Sequence, residues 1–472
     1  MRRTAAILPL VALSMAGCAG RARPASAYDA AVLALKDEDF ALAAKEAFGY
    51  RQSHAQTDNY YDRAWLVAAE AFDGLELTHA SAMAYRDVAG ARRDEDLVIT
   101  ALRGIERAVS AGKVDDDSLV TGFLAGSDFG TLPTDVAGFT AFVQGRDNAK
   151  RGLVLWARER FAQIPEDSVY RARGDLVNAV LLMEEAKLDE AEALLRQAAR
   201  RPSADGRAKA TALHTLAQLL FERQRFDEAL RTLDRVNPRW VRESDLLLEK
   251  AWAEYYRGNS RRSLGLLIAL DAPAYALALA PERFILGALD FRRLCHFNLA
   301  RESALELRRR HGDALRALRA GDDPEEVQDV RDAALRQGEA RRLALLAARL
   351  EEERRIARSS ASNFGPRLAA WLDALYENAI DDIEARLAVE LRIAAEGIAQ
   401  SLLDADEQVA LLEHELSVDL LRGRRRPMGV GEITQSSARR IRGPRALYTF
   451  DGEYWTDELQ DLVVVIEDRC VQ

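Results

Sequence analysis

Phe226-Asp227-Glu228-Ala229 opens a run in which Phe226, Ala229, Leu230, Leu233 and Val236 recur at helical spacing. Just before it, Ala210 to Glu222 carries Leu213, Leu216, Ala217 and Leu220 on one stripe, which predicts a second helix with one apolar face. Asn237-Pro238 closes the later run, because proline has no N–H to continue the helical ladder. The stretch reads as helix, short turn, helix. The small Ala229 lets the two helices approach closely.

The same pattern recurs from about Arg171 to Arg310. Leu188-Asp189-Glu190-Ala191 has the form of the anchor, with Leu181, Leu182, Leu194 and Leu195 around it. Arg257-Gly258-Asn259 is a turn, followed by Ser263 in the small-residue slot and then Leu266, Leu267 and Leu270. Phe297-Asn298-Leu299-Ala300 follows Phe284, Ala288 and Phe291. The small residues at 191, 229, 263 and 300 are 38, 34 and 37 residues apart. Two helices per unit at that period predict an all-α solenoid.

These residues resemble the tetratricopeptide family, whose repeat is about 34 residues. Ala217, Ala229, Gly258, Pro238 and Pro281 fit the pattern, whereas Glu254 and Cys295 stand where the family prefers an aromatic and a small turn residue. The resemblance implies a concave groove, lined by the inner helices, that takes an extended peptide or a helix from a protein partner. Carried onto this chain, the groove residues are Arg173, Leu176, Val180, His214, Gln218, Leu248, Trp252, Tyr255, Ile285, Leu289 and Arg292. Trp252 and Tyr255 are the types that concentrate binding energy, although the same residues also suit an inter-repeat core.

The net charge of −10 argues against general nucleic-acid binding. Six scattered histidines (54, 79, 214, 296, 311, 414) show no metal-ligand spacing, and His414-Glu415 lacks the second histidine of a zinc-protease helix. There is no phosphate-binding glycine loop and no nucleophile elbow. The expectation is a non-enzyme with no cofactor and no metal. Asp451, Glu453, Asp457, Glu458 and Asp461 cluster, but not at EF-hand spacing, and read as a solvated acidic turn.

The N-terminus reads as a lipoprotein signal over residues 1–17. Arg2 and Arg3 precede an apolar run from Ala5 to Met15, too short to span a bilayer. Met15-Ala16-Gly17-Cys18 resembles a lipobox, which implies a lipidated Cys18 as the new N-terminus. Cleavage there leaves 64 basic and 76 acidic residues, a balance of −12. Ala19, rather than aspartate, implies the outer membrane of a two-membraned bacterium, facing the periplasm. A tether (18–27), divergent repeats (28–165), the main array (166–312), a long helical hairpin (313–422), a basic linker (423–444) and a small C-terminal β element (445–472) complete the expected layout.

In the divergent region, Ala43 and Ala80 take the small slot, Asp94 to Ala111 is a helix, and Phe139 to Phe161 is helical again. Asp322-Asp323-Pro324-Glu325-Glu326 starts a helix expected to run to Arg358. A second runs from Pro366 to Leu421, and the pair is expected to project from the array as a hairpin or coiled coil, the alternative being further packed solenoid helices. The eight arginines across residues 422–445 read as a solvated tether. Ala446 to Phe450, Glu453 to Trp455 and Leu462 to Ile466 are expected strands, with a hairpin turn at Asp451-Gly452.

Leu294-Cys295-His296-Phe297, the long helices and the ending from Asp451 to Cys470 resemble a group of myxobacterial tetratricopeptide proteins, some of them in gliding-motility envelope machinery. The implied role is a lipid-anchored scaffold for protein partners. The alternative is an accessory factor for assembling outer-membrane or secretion components. With Cys18 consumed as a thioether, Cys295 and Cys470 remain, and an oxidising periplasm favours pairing them.

Overall fold

The computed structural model describes residues 26–115, 122–275, 279–423 and 459–470. Signal, lipidation site and basic linker therefore lie outside the described residues, as do the first two expected strands.

The N-terminal helices are α1 (Ala27–Lys36), α2 (Phe40–Ser53), α3 (Tyr61–Gly74), α4 (Thr78–Ala91) and α5 (Glu95–Ser110). The one-turn α6 (Gly122–Leu124) leads to α7 (Thr134–Lys150) and α8 (Val154–Ala162). The expected single helical stretch from Phe139 to Phe161 is thus two helices, broken at Gly152, whose φ is +72°. Next come α9 (Val169–Glu184), α10 (Leu188–Arg200), α11 (Gly206–Glu222), α12 (Phe226–Leu233), α13 (Glu243–Tyr256), α14 (Ser260–Ala269), α15 (Glu282–Arg293) and α16 (Phe297–Ala320).

One backbone device makes the repeat. Glu38, Glu76, Gly112, Gly152, Ala186, Gln224, Gly258 and Cys295 all have φ between +59° and +84°. Each ends the first helix of a pair. The next N–H reaches back across the turn: Arg225 to the Leu220 carbonyl, Asn259 to Glu254, His296 to Phe291. This is the six-to-one bond of a Schellman cap, which satisfies helix-end carbonyls and turns the chain back. Five residues after most of these turns, a small side chain is sealed between the helices: Ala43, Ala157, Ala191, Ala229, Ser263 and Ala300 are fully buried. In the second repeat this register puts Ser81, not the expected Ala80, in the slot; both are buried.

The expected hairpin differs in two ways. Its first arm is broken into α17 (Gln328–Ala334) and α18 (Gly338–Ser359), with Gly338 at φ +58°. A short α19 (Ala361–Phe364) precedes α20 (Pro366–Gly423), whose 58 residues span about 87 Å. The long helix does not project. Near its start, Trp371 packs 5.4 Å from Trp65 and 5.8 Å from Phe48, between α2 and α3. Farther along, Leu391, Ile398, Leu402 and Val409 share a core with Ile285, Leu307, Leu315 and Val330. One helix thus packs against both early and late repeats. Asp115, after α5, ties this arrangement to Arg342 of α18 and Arg386 of α20.

The C-terminal β element is corrected. Among the described residues there is no strand. Residues 459–470 form one 3₁₀ turn, Leu459–Asp461, and then an extended strap laid on helices. The Val464 N–H donates to the Arg261 carbonyl at 3.0 Å and the Arg469 N–H to the Leu294 carbonyl at 3.1 Å. Arg262 donates to the Leu462 carbonyl at 3.1 Å, and Lys250 to the Gln460 side chain at 2.8 Å. Leu459 is buried among Leu247, Leu266 and Leu286.

Candidate protein-interaction face

The groove residues divide along the array. Arg173 on α9 donates to Asp205, the N-cap of α11, at 2.6 Å, and its guanidinium lies over the Tyr170 ring at 5.0 Å. His214 Nε2 and Gln218 Nε2 both stand 2.9 Å from the Glu249 carboxylate on α13. These polar groups therefore join each inner helix to the next. Leu176 packs against the core between α9 and α11, while Val180 is exposed.

Leu248, Trp252 and Tyr255 on α13 are half-buried against the α13–α15 core. Trp252 meets Tyr255 edge-on at 6.0 Å, and Arg293 lies 4.6 Å above the Tyr255 ring. Both residues therefore contribute to packing and keep one side open. Tyr256 is the more exposed ring, at 50%, and stacks on Phe226 at 5.1 Å. The sequence reading missed it because Tyr256 falls outside the apolar stripe. The doublet Tyr255-Tyr256 just before a turn was the available signal.

At the far end the row is occupied from within. Ile285 is buried and Leu289 partly so, both in the core shared with α20. Arg292 pairs with Asp419 of α20 at 3.0 Å and also with Glu415. The long helix thus sits where the family resemblance puts a bound helix. Residues from α9 to α13 carry the free part of the row.

A second exposed element lies on α8. Leu155 and Trp156 stand side by side, 80% and 62% exposed. Large apolar side chains displayed together commonly mark contact sites. The sequence reading placed Trp156 inside a continuous helix and saw no separate surface there.

Charge is managed mostly within the array. Glu192 on α10 is buried yet receives Arg196, Arg223 and Arg225. Burial works to raise its pKa; the Arg225 hydrogen bonds and the Arg196 charge outweigh that and hold it below the ordinary value. Among the described residues no group of His, Cys, Asp or Glu is arranged to hold a metal ion. Of the acidic C-terminal cluster only Asp461 is described, and it pairs with Arg262 at 3.3 Å. No described helix is long and apolar enough to cross a membrane. Cys295 and Cys470 lie at disulfide distance, 5.3 Å between Cα atoms.

No curated protein matches the chain. Among solved structures it is similar to a "Circular tandem repeat protein with novel repeat topology and enhanced subunit contact surfaces". Identity is 15%, over 84% of this chain and 97% of that one, and the TM-score is 0.15, too low to carry any argument. A family model described as a tetratricopeptide repeat-like domain matches residues 137–242, from within α7 to the cap of α13. With the Schellman-capped helix pairs, that match supports a tetratricopeptide-like repeat array over those residues.

Proposed function

We propose that the chain is a non-enzymatic, lipid-anchored periplasmic scaffold that gathers protein partners in an envelope complex, with gliding motility a candidate setting. The carrying observation is the free part of the inner row. There Val180, Trp252, Tyr255 and Tyr256 remain open, while α20 covers the continuation of the row at Ile285 and Arg292. Repeat arrays of this kind bind proteins, and aromatic side chains held by neighbours lose little entropy on binding. The Met15–Cys18 motif supports the anchor, and Ala19 supports the outer membrane.

The test is site-specific photo-crosslinking in the native host, with the probe at Tyr256 and, as a comparison, at Glu377 on α20. A discrete adduct from Tyr256, stable through membrane solubilisation, supports the scaffold. Many weak adducts indicate a transient assembly factor instead. No adduct from Tyr256 alongside strong ones from Glu377 overturns the assignment of the face. Fatty-acid labelling that persists in Cys18→Ala overturns the anchor separately.

A further inference from the structure

The strongest feature that the proposed scaffold role leaves unused is a cleft between α10 and α12. Its volume is about 440 Å³, and its wall includes Leu213 and Leu216 of α11. Arg196 and Arg200 stand on the α10 side, Arg231 and Arg235 on the α12 side. A second cleft of about 530 Å³ adjoins it and shares Arg196 and Arg200. Both volumes are within the range of about 300–1,000 Å³ in which small ligands bind.

These arginines differ from their immediate neighbours in how they are paired. Nearby Arg201, Arg223 and Arg225 each close on carboxylates, and Arg196 does so with Glu192 and Glu228. Arg200, Arg231 and Arg235 have neither an ion pair nor a side-chain hydrogen bond among the described residues. The two acids at the cleft are already engaged: Glu228 with Arg225 at 2.6 Å, and Asp234 with Lys250 at 2.8 Å. Three free guanidiniums thus share a cleft with no uncommitted counter-charge of its own.

We propose that this cleft binds a phosphate-bearing ligand whose organic body rests on Leu213 and Leu216. Each guanidinium offers a planar fork of donors. A single carboxylate has two oxygens and one charge, too few for three or four such forks. A phosphate monoester has three free oxygens and nearly two charges, and takes several arginines at once. The cleft is larger than one phosphate needs, so the remaining room suits an attached body or a second phosphate. A soluble phosphate ester and a lipid headgroup share this chemistry.

The full chain is titrated calorimetrically with inorganic pyrophosphate and, separately, with citrate, an anion of similar charge built from carboxylates. Sedimentation with phosphatidylcholine vesicles containing phosphatidic acid forms a third arm. The variant is Arg231→Gln with Arg235→Gln; both residues are exposed and unpaired, so its thermal melt should match the parent. Pyrophosphate or the vesicles should bind the parent, and the variant should bind at least about tenfold more weakly. Whichever arm binds identifies the soluble or lipid source. Binding by neither, equal binding by parent and variant, or tighter binding of citrate than of pyrophosphate overturns the proposal.

Discussion

Cys295 and Cys470 stand 5.3 Å apart at their Cα atoms, although 175 residues separate them in sequence. Cys295 is itself one of the left-handed turn residues, with φ +59°, in the last Schellman-capped pair. Cys470 ends the strap. The same backbone turn that sets the repeat therefore presents a sulfur to the C-terminus, and the strap's path over α14 delivers the other.

A bond between them should form in protein purified without reductant. Neither cysteine should react with a thiol-alkylating reagent until the protein is reduced and unfolded. By chain entropy, closing so long a loop stabilises by about 4–5 kcal/mol, less any native strain. Cys470→Ser should therefore lower stability by roughly 2–4 kcal/mol under oxidising conditions, and much less in reductant. Two thiols titrating in the unreduced native protein would contradict the pairing.

Gly265 tests the strap without touching sulfur. A Cβ built on Gly265 would stand 2.0 Å from the Leu462 carbonyl oxygen, backbone that has no way to yield locally. Gly265→Ala should lift the strap while leaving the helix pairs folded, since repeat arrays are stabilised by neighbours. Hydrogen exchange should quicken at the Val464 and Arg469 amides, which now bond to Arg261 and Leu294. Unchanged protection at both amides would show that the strap is not held there.

The repeat was legible because its signals are local. Small residues at 191, 229, 263 and 300 are buried where the period predicted, whereas α12 ends at Leu233, short of the expected stop at Asn237-Pro238. Ala80 misled by one position because Ser81 beside it is equally small. The break at Gly152 left a signal that the reading passed over: between Val143 and Leu153 the only apolar side chain is Ala149, and Arg151-Gly152 matches the turn at Arg257-Gly258. The strap shows a subtler limit. From Asp461 to Glu467 exposure alternates residue by residue, as in a strand, with Val463 and Val465 outward. The extended form was readable. Its partner was not, because period two says nothing about whether helix or strand lies beneath. The same holds for α20: Leu391, Ile398 and Leu402 would serve a self-contained hairpin equally well, and only the folded chain shows them against α15 and α16.

The left-handed turns predict opposite effects from opposite substitutions. Gly258 has φ +84° and open space around a Cβ, so Gly258→Ala meets only conformational strain. It should cost about 1–2 kcal/mol. Gln224 bears that strain already, at φ +59°. Gln224→Gly relieves it but adds chain entropy to the unfolded state, so the net gain should be below about 1 kcal/mol. Chemical denaturation of both variants checks the pair. A stabilising Gly258→Ala would mean that the cap geometry does not govern the repeat.

Glu353 predicts a pH dependence of known sign. Its carboxyl is buried between α18, α4 and α20, where it accepts the His79 N–H and the Tyr376 hydroxyl, each at 2.9 Å. Burial pushes its pKa up to about 7, against 4.5 ordinarily, because desolvation of the charge outweighs those two hydrogen bonds. Between pH 4.5 and about 7 the folded chain thus holds a proton that the unfolded chain has lost. Stability from this group falls as pH rises through that window, by at most about 1.4 kcal/mol per unit, and is lowest above it. Asp290, also buried, contributes with the same sign from 3.8 to about 7. Comparison with Glu353→Gln separates the two groups, since glutamine keeps an oxygen for both donors but cannot ionise. At pH 8 the variant should be as stable as the parent or more so, and the advantage should shrink as pH is lowered to 5.5. If the parent instead lost stability relative to the variant on acidification, Glu353 would be a stabilised carboxylate, and burial would not dominate its titration.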